Sequence, residues 1–319
     1  MLTPRENFIR YLKGEGNEWT PTNQDILYFR PEQIKENIAR GMVVQQAPFT
    51  GCFGGLDLFG CEWEYEPAVG GSMETGPLLE DLEDWKEKMT FPNLDEIDWE
   101  GCAAANREYL TTDKIIETTI FTGFFERMIA MVGFENAAMA LVDEDMEDTV
   151  RELLSKLTDT YIDLAERMHH WFNVEIVEIH DDWGTQRSTM FSVDTHADMI
   201  APHVKRFVDA CHKMGVFVEM HSCGMIEPLI PNLIDTGVDL WRGQAINDRH
   251  KLVELYGDKF RFGVELRPAG PVDDETAMKL VADAYEEWKG KNVWMTFGRS
   301  MTRQQLERMA AYVRQRGKF

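Results

Sequence analysis

The sequence predicts an α/β fold, a (β/α)8 barrel of the TIM type with a helical and irregular excursion in its N-terminal part. From residue 114 onward, short apolar strands alternate with amphipathic helices. Strands joined by helical crossovers pair in parallel with right-handed connections. Polar side chains also cluster where these strands end, and that end of a barrel carries the active site.

The N-terminal part is expected to begin with a helix. Thr3 and Glu6 have capping-box spacing around a proline, which predicts a helix to about Leu12. The segment DILYF (25–29) favours a short strand. We assign residues 1–319 to a single barrel domain and residues 30–113 to the excursion, whose glycine-rich part, 51–77, favours strands or hairpins.

The regular part of the chain supplies most of the predicted barrel. Strands are expected at 114–121, 174–180, 216–221, 238–243, 260–266 and 292–297, and helices at 134–170 (one or two pieces), 202–214, 225–236, 249–256, 274–289 and 302–316. With two or three strands before residue 114, the count fits eight. An open doubly wound sheet is the alternative, and the lack of a glycine-rich phosphate loop disfavours it.

The composition disfavours two classes of partner. The chain has 319 residues, of which 44% are hydrophobic, and 33 basic against 56 acidic residues give a net charge of −23. Such a surface repels nucleic acid and anionic lipid. No apolar run approaches the roughly 20 residues that span a bilayer, and no signal peptide is evident, so we expect a cytoplasmic protein. The five cysteines lack a framework spacing and are expected to be thiols.

His221 and Cys223 end the strand segment VFVEMHSCG (216–224). Residues two apart on a strand point to the same side, so the imidazole and the sulfur are placed to share one metal ion. The alternative is a buried histidine bonded to a backbone carbonyl, beside a cysteine that packs as a small hydrophobic residue. Their position at a strand end favours the metal site.

A second polar group follows the preceding strand, in VEIVEIHDDW (174–183). Glu178, His180 and Asp182 share one strand face, so we predict ligand or acid–base roles for them, with Asp182 as a further metal ligand. The alternative for such a cluster is a hydrogen-bonded loop anchor.

Other side chains near the same barrel end are candidates for binding a flat or aromatic substrate. Arg299 follows the last strand, where it could hold a carboxylate or phenolate or pair with the acidic cluster. Ordinary core packing explains the aromatic members equally well. The substrate-binding candidates are Phe121, Phe124, Trp183, Gln186, Gln244 and Arg299.

Five segments together resemble the uroporphyrinogen decarboxylase superfamily. They are GLDLFGCEWEYEP, DLEDWKEKMTFPNLDEIDW, HDDWGTQ (180–186), HSCGMIEPLIPNLIDTGVDLWRGQ (221–244) and FRFGVELRP (260–268). The glutamine-alanine-glycine-arginine loop and the glycine-histidine-glycine stretch of the decarboxylases proper are absent. The form His221-Ser222-Cys223 is instead similar to the His-x-Cys of the corrinoid-dependent methyltransferase branch.

The resemblance implies a zinc ion held by His221 and Cys223, and family members that are often homodimers. Those methyltransferases also use a cysteine after the last strand, which VWMTFGRSM (293–301) lacks. A site with one sulfur and oxygen or nitrogen ligands suits a Lewis acid on an ether oxygen. The implied reaction is O-demethylation, in which a methyl group moves from a small methylated donor, best an aryl methyl ether, to a corrinoid (cobalamin).

The corrinoid is expected on a partner protein, because no Asp-x-His-x-x-Gly segment occurs in this sequence. Two rival interpretations remain at this stage. One is a metal-free decarboxylase that acts on a porphyrinogen or another acid, which the missing arginine-rich loop disfavours. The other is a non-catalytic barrel that binds a small ligand or a corrinoid protein.

Overall fold

A computed structural model describes residues 2–40, 53–68, 70–298 and 300–317. The strands are β1 (Ile26–Tyr28), β2 (Gly54–Leu56), β3 (Glu62–Glu66), β4 (Gly71–Glu74), β5 (Ile115–Ile120), β6 (Ile176–His180), β7 (Phe217–His221), β8 (Leu240–Trp241), β9 (Arg261–Leu266) and β10 (Val293–Phe297). The helices are α1 (Pro4–Lys13), α2 (Lys35–Ala39), α3 (Trp85–Lys88), α4 (Trp99–Asn106), α5 (Phe125–Val132), α6 (Phe134–Ala140), α7 (Glu147–Phe172), α8 (Val193–Thr195), α9 (Ala201–Met214), α10 (Ile230–Asp235), α11 (Arg249–Tyr256), α12 (Asp274–Glu287) and α13 (Arg303–Arg316).

The main sheet is parallel and curled, as the sequence predicts, with the order β1-β5-β6-β7-β8-β9-β10. The predicted count of eight strands is wrong for the described residues, which place seven in this sheet. The excursion supplies no further barrel strand because its described strands pair with one another. An isolated parallel bridge between Thr22 and Met295 joins the segment before β1 to β10. The fold is a TIM-like α/β barrel.

The excursion between β1 and β5 contains the antiparallel sheet β2-β3-β4, which confirms the predicted hairpins. Buried ion pairs fasten it to the barrel. Arg127 on α5 is fully buried and pairs with both Glu36 of α2 and Asp57. A buried arginine needs such partners because an unpaired charge away from water is costly.

Helix α1 closes the amino-terminal end of the barrel. Thr3 caps it through the predicted capping box with Glu6. Phe8 is fully buried, and its ring contacts those of Tyr11 and Trp294 at 6.1 and 6.0 Å between centroids. The first residues of several strands complete this apolar floor, namely Ile26, Ile115, Ile176 and Leu240. No helix among the described residues is long and apolar enough to cross a membrane.

We predict that Phe8→Ala destabilises the protein, because it opens a cavity in the barrel floor. The free energy of unfolding should fall by about 3–5 kcal/mol, measured by urea denaturation. Phe134→Ala is the matched control, because Phe134 is 50% exposed, and it should cost less than about 1 kcal/mol. Equal losses in the two variants would contradict the role of Phe8 as a buried plug.

Candidate metal centre and active site

The register between β6 and β7 places His180 directly opposite His221. Their rings stack with centroids 4.8 Å apart and an angle of 15° between planes. The sulfur of Cys223 lies 3.8 Å from Nε2 of His221. Ligand atoms of His180, His221 and Cys223 all lie within 4.8 Å of one another. The structure therefore brings together two histidines and the thiol at the carboxyl ends of adjacent strands.

The loop that carries Cys223 is fixed by close backbone contacts. The N–H of Cys223 donates to Oδ1 of Asp182 at 2.8 Å, and the N–H of Gly224 donates to Oε1 of Gln244 at 3.0 Å. Gly224 has a φ of +75°, and a Cβ there would lie 2.1 Å from the carbonyl carbon of Gly184. Only glycine fits this approach, which sets the direction of the Cys223 side chain.

His180 is oriented by a residue that the sequence analysis missed. Nδ1 of His180 lies 2.9 Å from Oε2 of Glu126, in the first turn of α5. Asp181 caps that helix, since its carboxylate accepts the N–H groups of Phe124, Phe125 and Glu126. The residue next to His180 in sequence thus positions the helix that supplies the histidine's hydrogen-bond partner.

A second missed residue holds Glu126 in place. Nη2 of Arg40 lies 3.0 Å from Oε1 of Glu126, and Nη1 donates to the carbonyl of Ser72 at 2.6 Å. The guanidinium lies over the ring of Trp63, 4.9 Å from its centroid. Arg40, at the end of α2, and Glu126 are both buried. No local sequence signal identifies this contact, because the two residues are 86 positions apart.

An ionic layer lies in the barrel below the two histidines. Glu117, Glu178 and Glu219 are buried, and their carboxylate oxygens lie within 4.8 Å of one another. Arg242 pairs with Glu178 and, at 3.1 Å, with Glu219. Burial alone would raise the pKa of Glu178, but the Arg242 guanidinium together with the two histidines and Arg30 outweighs burial and holds that pKa below its usual range. The predicted site residue Glu178 therefore lies in this layer and not in the histidine–thiol group.

The two histidines differ in charge. Burial and the neighbouring charge of His180 lower the pKa of His221 to about 4, so His221 is neutral near pH 7. Burial alone would lower the pKa of His180 too, but the charge of Glu126 and hydrogen bonds to Cys223 and Glu126 raise it well above its ordinary value. Burial raises the pKa of the Cys223 thiol. A metal ion bound here would displace the protons of His180 and Cys223.

A buried cation lies beside Phe121. Arg30, two residues beyond β1, donates through Nε to Oγ1 of Thr119 at 3.1 Å, and its guanidinium lies 4.9 Å from the centroid of the Phe121 ring. Nη1 of Arg30 is buried and has no hydrogen-bond partner among the described residues. The Phe121 ring lies 6.5 Å from that of His180. Arg30 follows a predicted strand end, the same signal that identified His221, but it is not among the predicted site residues.

The other predicted substrate-binding residues are dispersed. Phe124 and Trp183 are fully buried, Phe124 against Tyr161 and Trp183 against His196. Gln186 is exposed, and Gln244 contacts the Cys223 loop. Arg299 lies outside the described residues. Substrate contact by these five residues stays a prediction.

The histidine–thiol group fits a zinc ion. Zinc bonds of about 2.0–2.1 Å to nitrogen and 2.3 Å to sulfur separate two tetrahedral ligand atoms by roughly 3.5 Å, close to the 3.8 Å between His221 and Cys223. Asp182 belongs to a different group of potential ligands, with Glu126 and His180. His221 and Cys223 are also half-buried, so a small molecule can reach them.

Comparison with known proteins identifies the family. The family model described as uroporphyrinogen decarboxylase (URO-D) matches residues 47–259. The chain belongs to the uroporphyrinogen decarboxylase family. This confirms the superfamily expected from the sequence. No curated protein matches this URO-D chain in sequence.

One solved structure shares the fold of this URO-D family member over its whole length. A methyltransferase from Methanosarcina mazei has a TM-score of 0.67 at 17% identity, with 99% of each chain covered. An endo-1,4-beta-xylanase from Caldicellulosiruptor owensensis has a TM-score of 0.39 at 12% identity, covering 68% of this chain and 75% of the xylanase. The first likeness supports the fold over the whole length, and the second is too weak to carry an argument.

We predict that protein purified without chelators binds about one zinc per chain and that His221→Ala with Cys223→Ser removes it, because both would be direct donors. Metal content is measured by atomic emission. The control pairs His250→Ala, at an exposed histidine, with Cys102→Ser, at a buried thiol away from the site, and should keep full zinc. Full zinc occupancy in the His221/Cys223 variant would show that the metal binds at another site.

Proposed function

We propose that this chain is a zinc-dependent methyltransferase that moves a methyl group from a small methylated donor to the cobalt of a corrinoid on a partner protein. The observation that carries the proposal is the pairing of His221 and Cys223 at the carboxyl end of β7, half-buried and 3.8 Å apart. In this superfamily the His-x-Cys form resembles the methyltransferase branch. The acidic composition is consistent with a protein or small-molecule partner and not with nucleic acid.

The proposed donor is an aryl methyl ether. Zinc bound to one thiolate and neutral ligands would act as a Lewis acid on the ether oxygen, which makes a poor alkoxide or phenoxide leaving group easier to expel. The chain's own residues bind and orient the ring: Phe121 offers an apolar face beside His180. We propose that Gln244 fixes the Cys223 loop while the donor is bound.

Arg30 gives the donor site its charge preference. Its Nη1 is buried and lacks a partner in the part of the chain that the structure describes, which is costly unless a ligand supplies an acceptor. A carboxylate or phenolate on the donor ring would satisfy it and lie beside Phe121. This is the role that the sequence analysis gave to Arg299, and Arg30 is the arginine for which the described structure supports it.

The decarboxylase alternative has less support from the geometry. A substrate with several carboxylates needs several free cations, whereas Arg242 is already engaged by Glu178 and Glu219. Arg30 alone suits one anionic group. A barrel that only binds its ligand would turn over none of the donors, so the following assay distinguishes it from an enzyme.

We predict that the purified chain is inactive alone and demethylates a methoxyphenol or methoxybenzoate when cob(I)alamin or a reduced corrinoid protein is added. The measurement is methylcobalamin formation across aryl ethers, methylamines, betaine, methanol and methyl thiols. Preference for an amine or thiol would overturn the ether proposal and keep the methyltransferase. Turnover of a donor without corrinoid would contradict the proposed acceptor, and no turnover of any donor would favour a binding protein.

Replacing Arg30 should separate charged from neutral donors. We predict that Arg30→Met lowers kcat/KM for a methoxybenzoate by about 10- to 100-fold, because one charge-assisted hydrogen bond is lost, and changes that for methoxybenzene little. The matched control is Arg261→Met, since Arg261 lies over the Tyr11 ring at the opposite end of the barrel. An equal loss for both donors would show that Arg30 supports the fold and not the substrate.

A further inference from the structure

A metal centre in this chain needs a protein ligand that the sequence motif does not supply. His221 and Cys223 provide two donors, and β10 ends at Phe297 without a cysteine. The next strand beside β7 is β6, and its register sets His180 opposite His221. The stacked rings, 4.8 Å between centroids, leave both imidazoles at the edge that faces the Cys223 sulfur.

The hydrogen bond to Glu126 selects which nitrogen of His180 can bind a metal. Nδ1 lies 2.9 Å from the Glu126 carboxylate, so the proton stays on Nδ1 and Nε2 is left as the donor. Metal-binding histidines commonly donate their second ring N–H to a carboxylate in this way, which fixes the ring and increases its basicity.

Asp182 is the competing candidate for the third ligand, but its contacts favour a structural role in the Cys223 loop. Oδ1 of Asp182 accepts the N–H of Cys223 at 2.8 Å, so this carboxylate holds the thiol loop. Its oxygens form a ligand group with Glu126 and His180, whereas His180 forms one with both His221 and Cys223. Of these two candidates, His180 completes the donor set.

Arg40 holds the carboxylate of Glu126, which in turn orients the ring of His180. Glu126 uses one oxygen for Arg40, at 3.0 Å, and the other for His180, so it cannot rotate without breaking a contact. Arg40 is itself held by the carbonyl of Ser72 and the face of Trp63. The excursion is thereby connected to the proposed metal centre through the buried ion pair between Arg40 and Glu126.

We propose that His180 is the third protein ligand of the metal centre, and that Glu126 and Arg40 are positioning residues that present its Nε2 to the metal. The proposal rests on the proposed zinc site and replaces the missing cysteine with an imidazole. Two imidazoles and one thiolate leave a bound Zn²⁺ with a net charge of +1, where a second thiolate would make it neutral. The geometry thus gives a physical reason for an oxygen-directed Lewis acid.

The test measures zinc affinity by competition with a chromophoric chelator, together with the absorption spectrum of the Co²⁺-substituted full chain. His180→Gln should lower the affinity at least about 100-fold and weaken the visible bands of a four-coordinate site, while the thiolate–cobalt band persists through Cys223. Glu126→Gln and Arg40→Met should each lower the affinity about 10- to 100-fold. Arg40→Lys, which keeps the charge, should recover part of the loss.

Arg167→Met is the matched control. Arg167 also combines a carboxylate pair, a backbone carbonyl and an aromatic face, with Asp163, Leu94 and Trp99, but it lies away from His180. It should leave affinity and spectrum unchanged. If His180→Gln fails to fold, as judged by urea denaturation, Arg40→Met and Glu126→Gln carry the test.

Two results would overturn the proposal while the metal site stands. One is wild-type zinc affinity and spectrum in the His180, Glu126 and Arg40 variants, and the other is a larger loss in Asp182→Asn than in His180→Gln. A wild-type chain that binds neither zinc nor cobalt would refute the zinc site and this proposal together. The outcomes therefore separate an error in the third ligand from an error in the proposed function.

Discussion

The register of β6 on β7 is the constraint on which the site depends. It pairs Glu178 with Glu219 and, two residues on, His180 with His221. Because strand side chains alternate, all four point into the barrel, the carboxylates one layer below the imidazoles. The N–H of Asp181 donates to the carbonyl of His221 at 3.1 Å and extends the ladder. A slip of β6 by one residue would turn Glu178 and His180 away from the barrel interior and abolish the site.

The ionic layer has an electrostatic effect on that site. Three buried glutamates face Arg242 with Arg30 nearby, and burial followed by repulsion from Glu219 and Glu178 raises the pKa of Glu117 well above its ordinary value. Glu178 stays ionised beside Arg242, and the two opposite charges form an ion pair. Glu178 raises and Arg242 lowers the pKa of His221, so the two charges act on the site in opposite directions. The layer fills the barrel below the histidines without contributing a ligand to the histidine–thiol group.

The sequence predicted the parts of the site that depend on local order. Periodicity located nearly every strand and helix after residue 114, and spacing alone placed His221 and Cys223 together at a strand end. It could not reveal Glu126 or Arg40, because a hydrogen bond between segments 86 residues apart depends on tertiary packing. The strand count failed for a related reason: short strands in the excursion look like barrel strands until their pairing partners are known.

The apolar floor formed by α1 restricts where small molecules can enter and leave the barrel. With Phe8 and Trp294 filling the amino-terminal end, a small molecule that reaches His221 enters and leaves through the carboxyl end. The proposed partner protein, in collecting a group there, would have to approach from that same side and would cover the exit while docked. Departure of the spent donor would then wait for undocking, so the lifetime of the encounter, and not only the chemistry, would limit how fast the barrel is reloaded.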